Sequence, residues 1–557
     1  MRRWRTALIS VAALAALLVP LQPATADGPE GPSADGFLSG PSFKLGHGKT
    51  KAPARGNAAA DHDITIRGLD MNGQPVAPLA SLIDLATGTE YVLTESGGTL
   101  TGVVPAGDYN LTGIVITGSA HDPSDLALYG NPTLSVTADV DLTLDARTAT
   151  EIKAVSPSPA ATEINSHARL VQTIAGQEIV STVSGRPEIG LRTWPTANTT
   201  RPYHFLYAES QSEPETTQPE PRVYKMAFRT TGRIPAGLTF TATPDSLARV
   251  NTTYASQGVP TDEPGPHTAV VAFDGVGGGT LGLAHGAPVP STRQVYYTAN
   301  GVEWRENYFY ELNTVLLPES QDGPRRLTAG ATYNETWNKA AFGPTAKAGH
   351  GQGRLIAGLR LTDTGQPGRE NDSGNTSTGT TGSLTLYRNG QKIGVSANPM
   401  AGDWTVPPQA ASFRLDLAMR RNATWSKYVT GIDASWTFPS AERPGDPLDD
   451  ERRLLQPRIT GGYDSSGRAP SGTTFPLDVV VERAVGGSAV TSASLEASFN
   501  DGATWTTVPL APNGTDRWTA GVAHPTTHNG FVALRFKAAD GSGNAVRQTV
   551  TRAYGLS

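Results

Sequence analysis

Leu134-Ser135-Val136-Thr137-Ala138-Asp139-Val140-Asp141-Leu142-Thr143-Leu144 places an apolar side chain at every second position. A period of two is the pleat of a β-strand with one face in a core and one in water. The same alternation occurs upstream at Ile64, Ile66 and Leu69, after which Asp70-Met71-Asn72-Gly73-Gln74-Pro75 carries turn residues. Short runs at Ser81–Leu85, Glu90–Thr94, Thr99–Val104 and Leu111–Thr117 fill the interval. Strands every 8–12 residues separated by turn signals predict a sandwich or barrel, here over residues 61–155.

Working outward, residues 160–440 carry most of the aromatics, and their first part, 160–345, reads as a central sandwich. The aromatics stand in Tyr203-His204-Phe205-Leu206-Tyr207, Val223-Tyr224-Lys225-Met226-Ala227-Phe228, Gln294-Val295-Tyr296-Tyr297, and Trp304 to Tyr310. A break near Gly343–Gly353 and strands at Ser383–Arg388, Phe413–Ala418 and Ala434–Phe438 predict a second central sandwich over 350–442. Asp446–Arg453 reads as a charged linker. Residues 457–557 alternate at Leu477-Val479-Val481 and Leu495-Ala497-Phe499, as an immunoglobulin- or fibronectin-like sandwich does. The expected fold is all-β: tandem β-sandwich domains, transthyretin-like at the N-terminal side, a central double sandwich, and an immunoglobulin/fibronectin-like domain at the end.

At the N-terminus, Arg2, Arg3 and Arg5 precede an apolar run from Ala7 to Leu21, and Ala24-Thr25-Ala26 offers small residues to a signal peptidase. Residues 1–26 are expected to be a signal peptide and the mature protein to be secreted. Residues 27–60, rich in Gly, Ser, Pro, Ala and Lys, read as a flexible leader. Removing the signal leaves 42 basic against 51 acidic side chains, a net charge of −9. Clustered cations are needed on nucleic acid or anionic membranes, so neither is expected as a partner, and no membrane anchor is expected. The chain has no cysteine, so each core must hold without disulfides.

Several segments imitate catalytic motifs. Asp363-Thr364-Gly365 copies the aspartate tripeptide of subtilisin-type peptidases, but no matching histidine or serine segment accompanies it, and a surface turn is the expected reading. Asn371-Asp372-Ser373-Gly374-Asn375 imitates a serine loop without a base. Gly277-Gly278-Gly279-Thr280-Leu281-Gly282 fits a dinucleotide fingerprint, yet His285-Gly286-Ala287-Pro288 excludes the helix it needs, and a glycine-rich hairpin is expected. Gly48-Lys49-Thr50 lacks the upstream glycine of a phosphate loop, since Phe43 stands there. His524 and His528 are four apart in a loop sequence and share no helical face for zinc. Asp446, Asp449, Asp450 and Glu451 could ligate calcium but read as linker charge. Ser498-Phe499-Asn500-Asp501-Gly502-Ala503-Thr504-Trp505 is similar to an Asp-box hairpin, a folding device in which a polar side chain bonds the turn.

The turn and the Pro105-Ala106-Gly107-Asp108-Tyr109 segment of residues 61–155 resemble transthyretin-like, carboxypeptidase-regulatory-like modules. Leu384-Thr385-Leu386-Tyr387-Arg388-Asn389-Gly390, Phe413-Arg414-Leu415-Asp416-Leu417, Ala434-Ser435-Trp436-Thr437-Phe438 and the closing Asp540-Gly541-Ser542-Gly543-Asn544 to Leu556 resemble something larger. They are similar to the non-catalytic C-terminal region of large secreted subtilisin-like serine peptidases of actinobacterial type. The resemblance implies an accessory architecture without the peptidase domain, so no catalytic residue carries over. The expectation is therefore a non-enzyme with no catalytic, cofactor or metal residues. It would bind an extracellular polysaccharide, cell wall or protein through exposed aromatics, with Tyr203, Tyr207, Tyr296, Trp304, Tyr308 and Tyr310 as candidates. The sequence leaves open an extracellular hydrolase with its site within 160–440, a peptidase partner or inhibitor, and the oligomeric state.

Overall fold

The structure, a computed structural model, describes residues 42–50, 61–217, 220–312, 315–321, 323–371, 379–448 and 451–557. The predicted signal segment and most of the leader lie outside them. The protein is all-β, built as packed β-sandwich layers. Among the described residues the helical turns are two short 3-10 pieces, Ala146–Thr148 and Pro244–Ser246. No described helix is long and apolar enough to cross a membrane.

The first half is a stack of four sheets. A five-stranded sheet around Asp61–Leu69 packs on a seven-stranded sheet around Gly107–Ser119 and Asp122–Val136. Ile64, Ile66, Tyr109, Leu111, Val115 and Ala127 fill the space between them. The opposite face of the seven-stranded sheet, through Ile114, Leu126 and Leu128, packs on an eight-stranded sheet, against Ala168, Leu170, Tyr203, Phe205 and Tyr207. That third layer in turn covers a five-stranded sheet through Leu206, Ala208, Val250, Val271, Leu283 and Trp304. Burial on both faces explains why Phe205-Leu206-Tyr207-Ala208 is an unbroken apolar run rather than an alternation.

The second half is organised by one nine-stranded sheet that includes Thr380–Arg388, Ala411–Arg421, Gly431–Ser440, Val490–Ser498, Phe531–Asp540 and Ala545–Leu556. Two four-stranded sheets cover the same face of it, one containing Gly343–Gly351 and Arg354–Asp363, the other Gln456–Gly461 and Thr474–Glu482. A single apolar core, from Ala340 to Leu556 with Trp436 fully buried, runs through this half.

Four expectations are corrected. The alternation from Leu134 to Leu144 belongs to two strands: Asp122–Val136 ends, the chain turns a corner at an exposed Ala138, and Val140–Asp145 joins a different sheet. Part of the leader is ordered, because Ser42–Lys44 pairs with Thr182–Ser184 and Phe43 and Leu45 pack on the second-layer core. The boundary expected between 442 and 457 is not a break in the core. Gly431–Thr437 pairs directly with Ala545–Thr551, and Arg452–Arg453 of the expected linker pairs with Lys347–Ala348. Asp363-Thr364-Gly365 is not a surface turn. Asp363 and Thr364 are each 1% exposed, and the Asp363 carboxylate lies 3.0 Å from the buried Arg458 guanidinium. It also accepts from the Asn371 backbone N–H and the Thr345 hydroxyl. A Cβ on Gly365 would stand 2.0 Å from the Ile459 carbonyl, so only glycine admits this crossing.

The turns follow local chemistry closely. In Asp70-Met71-Asn72-Gly73-Gln74, Asp464-Ser465-Ser466-Gly467-Arg468 and Asp540-Gly541-Ser542-Gly543-Asn544, one aspartate Oδ1 accepts from the N–H groups two and four residues on. The glycine in fourth place has φ of +75°, +74° and +85° respectively, a conformation costly for other residues. The Asp-box reading holds in the same terms. Asn500 Oδ1 accepts from the Thr504 N–H at 2.9 Å and from the Ser498 hydroxyl, while Gly502 N–H donates to Ser498 Oγ. Asn500→Ala is expected to cost about 0.5–1.5 kcal/mol by removing the acceptor shared by the Thr504 N–H and the Ser498 hydroxyl. Asn500→Asp, which keeps the acceptor, should lose far less; urea denaturation of the two variants compares them.

Candidate functional site

Ionisable side chains converge between the eight-stranded sheet and the five-stranded sheet that covers it, below the apolar layer of Trp304 and Val271. Inward-facing positions on paired strands bring them together. His267 on Thr261–Phe273 stands directly opposite His285 on one side and Tyr308 on the other. Glu306 lies two residues from Tyr308, and Tyr254, Tyr297, Lys225 and Glu335 face them from the eight-stranded sheet. Lys225, Tyr254, His267, Tyr297 and Glu306 are fully buried.

The geometry defines a chain of bonds. The Tyr254 hydroxyl lies 2.5 Å from His267 Nδ1 and 2.9 Å from His285 Nε2. A phenol has one proton, so the network assigns His285 Nε2–H as donor to Tyr254, whose own proton goes to His267 Nδ1. His267 Nε2–H then faces the Glu306 carboxylate at 3.5 Å. Glu306 also accepts from the Tyr297 hydroxyl and the Arg325 guanidinium. Arg325 reaches Glu335 at 3.1 Å, Arg369 reaches Glu335 at 3.2 Å, and Arg369 lies over the Trp337 ring at 3.6 Å. Glu319, accepting from the Asn338 N–H, closes the ladder 3.7 Å from Arg369. Acid and guanidinium alternate along it.

Burial sets the charge states. Loss of water holds His267 down to about 3 and pushes His285 well below its ordinary value, so both rings are neutral. Burial lowers the Lys225 ammonium to about 7; it donates to the His267 and Leu283 carbonyls at 3.2 Å each. Glu319 is raised to about 7 for the same reason, whereas Glu306 is held below its ordinary range, because the Arg325 charge and the His267 and Tyr297 contacts together outweigh its own desolvation.

His267, Glu306 and Glu335 offer ligand atoms within 4.8 Å of one another, the spacing of a metal site. Arg325 already neutralises both carboxylates, and Lys225 lies nearby. A divalent ion would therefore have to displace a guanidinium and face a second cation, so the residues fit an internal ion-pair ladder better than a metal. Arg325, whose side chain is 22% exposed, and the half-buried Glu335 form the outer end of the ladder, whose other groups are buried.

The aromatics expected on a binding surface are mostly elsewhere. Tyr203, Tyr207, Trp304 and Tyr308 are each at most 1% exposed and fill cores, because their strands are covered on the faces these rings occupy. Tyr296 is half-buried and stacked on Tyr224 at 5.1 Å. Tyr310 lies on the strand Val302–Leu312, with its side chain outside what the structure describes. Gly277–Gly282 is the expected hairpin, its Gly278 N–H bonded to Glu178. His524 is buried and bonded to the Pro470 carbonyl and the Tyr554 hydroxyl. Of the serine-loop decoy only Asn371 is described, buried against the Thr362 carbonyl. Asp449 and Asp450 also lie outside the described residues.

Open troughs lie elsewhere on the described residues. One of about 630 Å³ is walled by Tyr129, Asn131, Thr133, Asn198, Thr200 and Arg201. Another of about 390 Å³ crosses the uncovered face of the nine-stranded sheet at Ser435, Thr437, Ser492, Ser494, Lys537 and Arg547. The third, about 330 Å³, holds Lys347, Arg360, Asn398 and Glu451, the last with its carboxyl raised by burial.

Fold and site together define a cysteine-free, multi-sandwich β protein whose converging charges are internal. No family model matches the chain, and no curated protein matches it. Among solved structures it is similar to the Salmonella alpha-2-macroglobulin reacted with methylamine, at 10% identity and a TM-score of 0.16, over 92% of this chain and 40% of that one. It spans well under half the length of that protein. The Bacillus anthracis TIE protein aligns at 7% identity and TM-score 0.09, over 86% and 73% of the two chains. The human desmocollin-1 ectodomain aligns at 8% and 0.13, over 86% and 92%.

Proposed function

We propose that the protein is an exported, non-catalytic accessory protein that binds an extracellular polymer. This is the role implied by its resemblance to the appendage regions of secreted subtilisin-like peptidases. One contrast carries the reading: the ionisable groups that converge are mostly buried and mutually neutralised, while the trough of about 630 Å³ open to water is walled chiefly by hydroxyls, amides and small residues. Such walls recognise hydroxyl-rich ligands by hydrogen bonding and supply no paired acid and base. The test is retention on insoluble polysaccharides and peptidoglycan, together with turnover assays on glycan, ester and peptide libraries. Retention without turnover is expected. Turnover, or failure to be retained on any polymer, would overturn the reading.

The trough around Glu451 favours a second reading, a hydrolase. A carboxyl raised by burial is poised as a general acid, but among the described residues the wall offers no second carboxylate. If turnover appears, its loss in Glu451→Gln would place the chemistry there.

A further inference from the structure

The nine-stranded sheet is covered on one face only, and its open face carries an arrangement that folding alone disfavours. Ser435, Arg547, Lys537 and Ser494 are successive cross-strand partners, forming one row over four strands. Arg547 and Lys537 are thus directly opposed on neighbouring strands, both exposed. Directly opposed like charges destabilise a sheet. Neither cation has a hydrogen-bond or ion-pair partner among the described residues. The nearest acids are committed elsewhere: Asp416 to Arg414 at 2.9 Å, Asp433 to Arg420 at 2.9 Å and Glu496 to Arg535 at 3.3 Å.

The row beside it, Thr437–Ala545–Ala539–Ser492, is made of small side chains and opens the trough of about 390 Å³ above the two cations. By strand spacing the trough is about 14 Å long. On the other side Arg535 lies over the Trp505 ring at 4.0 Å, and across the sheet Arg414 lies over Tyr387 at 4.1 Å.

We propose that this trough binds an anionic polysaccharide, its carboxylate or sulfate groups seated between Arg547 and Lys537 and its hydroxyls bonded to Ser435, Ser494, Thr437 and Ser492. The inference deepens the binding reading above and rests on it. An unopposed cation pair calls for an anion, and a hydroxyl-lined trough calls for a sugar chain rather than an acidic peptide.

Electrophoresis of the full chain through gels containing polygalacturonate tests this, with neutral dextran gels as control and poly-L-glutamate as competitor. Retardation by polygalacturonate alone is expected, weakened by salt. The double variant Lys537→Ser/Arg547→Ser should bind at least tenfold more weakly, while its unliganded melting temperature stays equal or rises as the repulsion is removed. Unretarded wild-type protein, equal retardation of the double variant, or competition by poly-L-glutamate as effective as by free polygalacturonate would each overturn the proposal. Retention on neutral polymers without a polygalacturonate shift would remove this inference alone and leave the broader binding role standing.

Discussion

Replacing Arg325 with methionine is expected to destabilise the protein by about 3–5 kcal/mol, the cost of leaving a buried charge without its partner. The side chain bridges Glu306, which is fully buried, and Glu335. Glu335 keeps Arg369, but Glu306 is left with only the Tyr297 hydroxyl and the His267 ring. Methionine preserves most of the packing volume, so the loss reports charge rather than a cavity. Adding Glu306→Gln to this variant should recover part of the loss, since the orphaned carboxylate disappears. Urea denaturation of the two single variants and the double variant measures that coupling. Strict additivity would mean that the ladder does not act as a unit.

Acid should unfold the protein abruptly rather than gradually. Burial holds His167 down to about 4 and His267 to about 3, and pushes His285 well below its ordinary value. An unfolded chain takes up these protons near 6.5, so below that pH the unfolded state binds more protons and stability falls as pH drops. Glu163 and Glu319 oppose this. Burial raises both to about 7, so between 7 and about 4.5 it is the folded state that binds the extra protons. Buried Asp125, Glu209 and Asp363 are shifted in the same direction. The two groups offset each other down to about pH 4.5, where the unfolded carboxylates also protonate. The histidines then act unopposed, joined by the depressed Glu306; three of them remove about 4 kcal/mol per pH unit until His167 protonates in the folded state near 4, and two about 3 thereafter. Urea midpoints should be nearly level from pH 6.5 to 4.5 and collapse below. A steady decline beginning at 6.5 would show that the buried acids are not raised.

The all-β class was legible because alternation is a local property. The Asp70–Gln74 turn and the Asn500 hairpin were legible for the same reason: the bonds that make them span four residues. What lies between layers was not. Leu134–Leu144 keeps its period through a corner, so periodicity alone does not show that the strand changes sheets. The shared cores of the four-layer stack depend on pairings such as Leu126 with Leu191, which join segments with no common motif. The ladder is assembled from residues between Lys225 and Arg369, each unremarkable in its own stretch. A signal was present in Lys225, set at an inward position of an apolar strand, and in His267 and His285 at inward positions of theirs. Asp363 shows the opposite error: a polar tripeptide beside a glycine-rich loop reads as surface until its partner Arg458, 95 positions on, is brought against it.

The account turns on the converging histidines being internal structure rather than a reactive site. Carbethoxylation of the folded protein by diethyl pyrocarbonate at pH 7, mapped by mass spectrometry, measures this directly. His121, which is exposed, should be modified while His267 and His285 remain untouched until the chain is denatured. Modification of either buried ring at the rate seen for His121 would place them in contact with solvent and contradict the account.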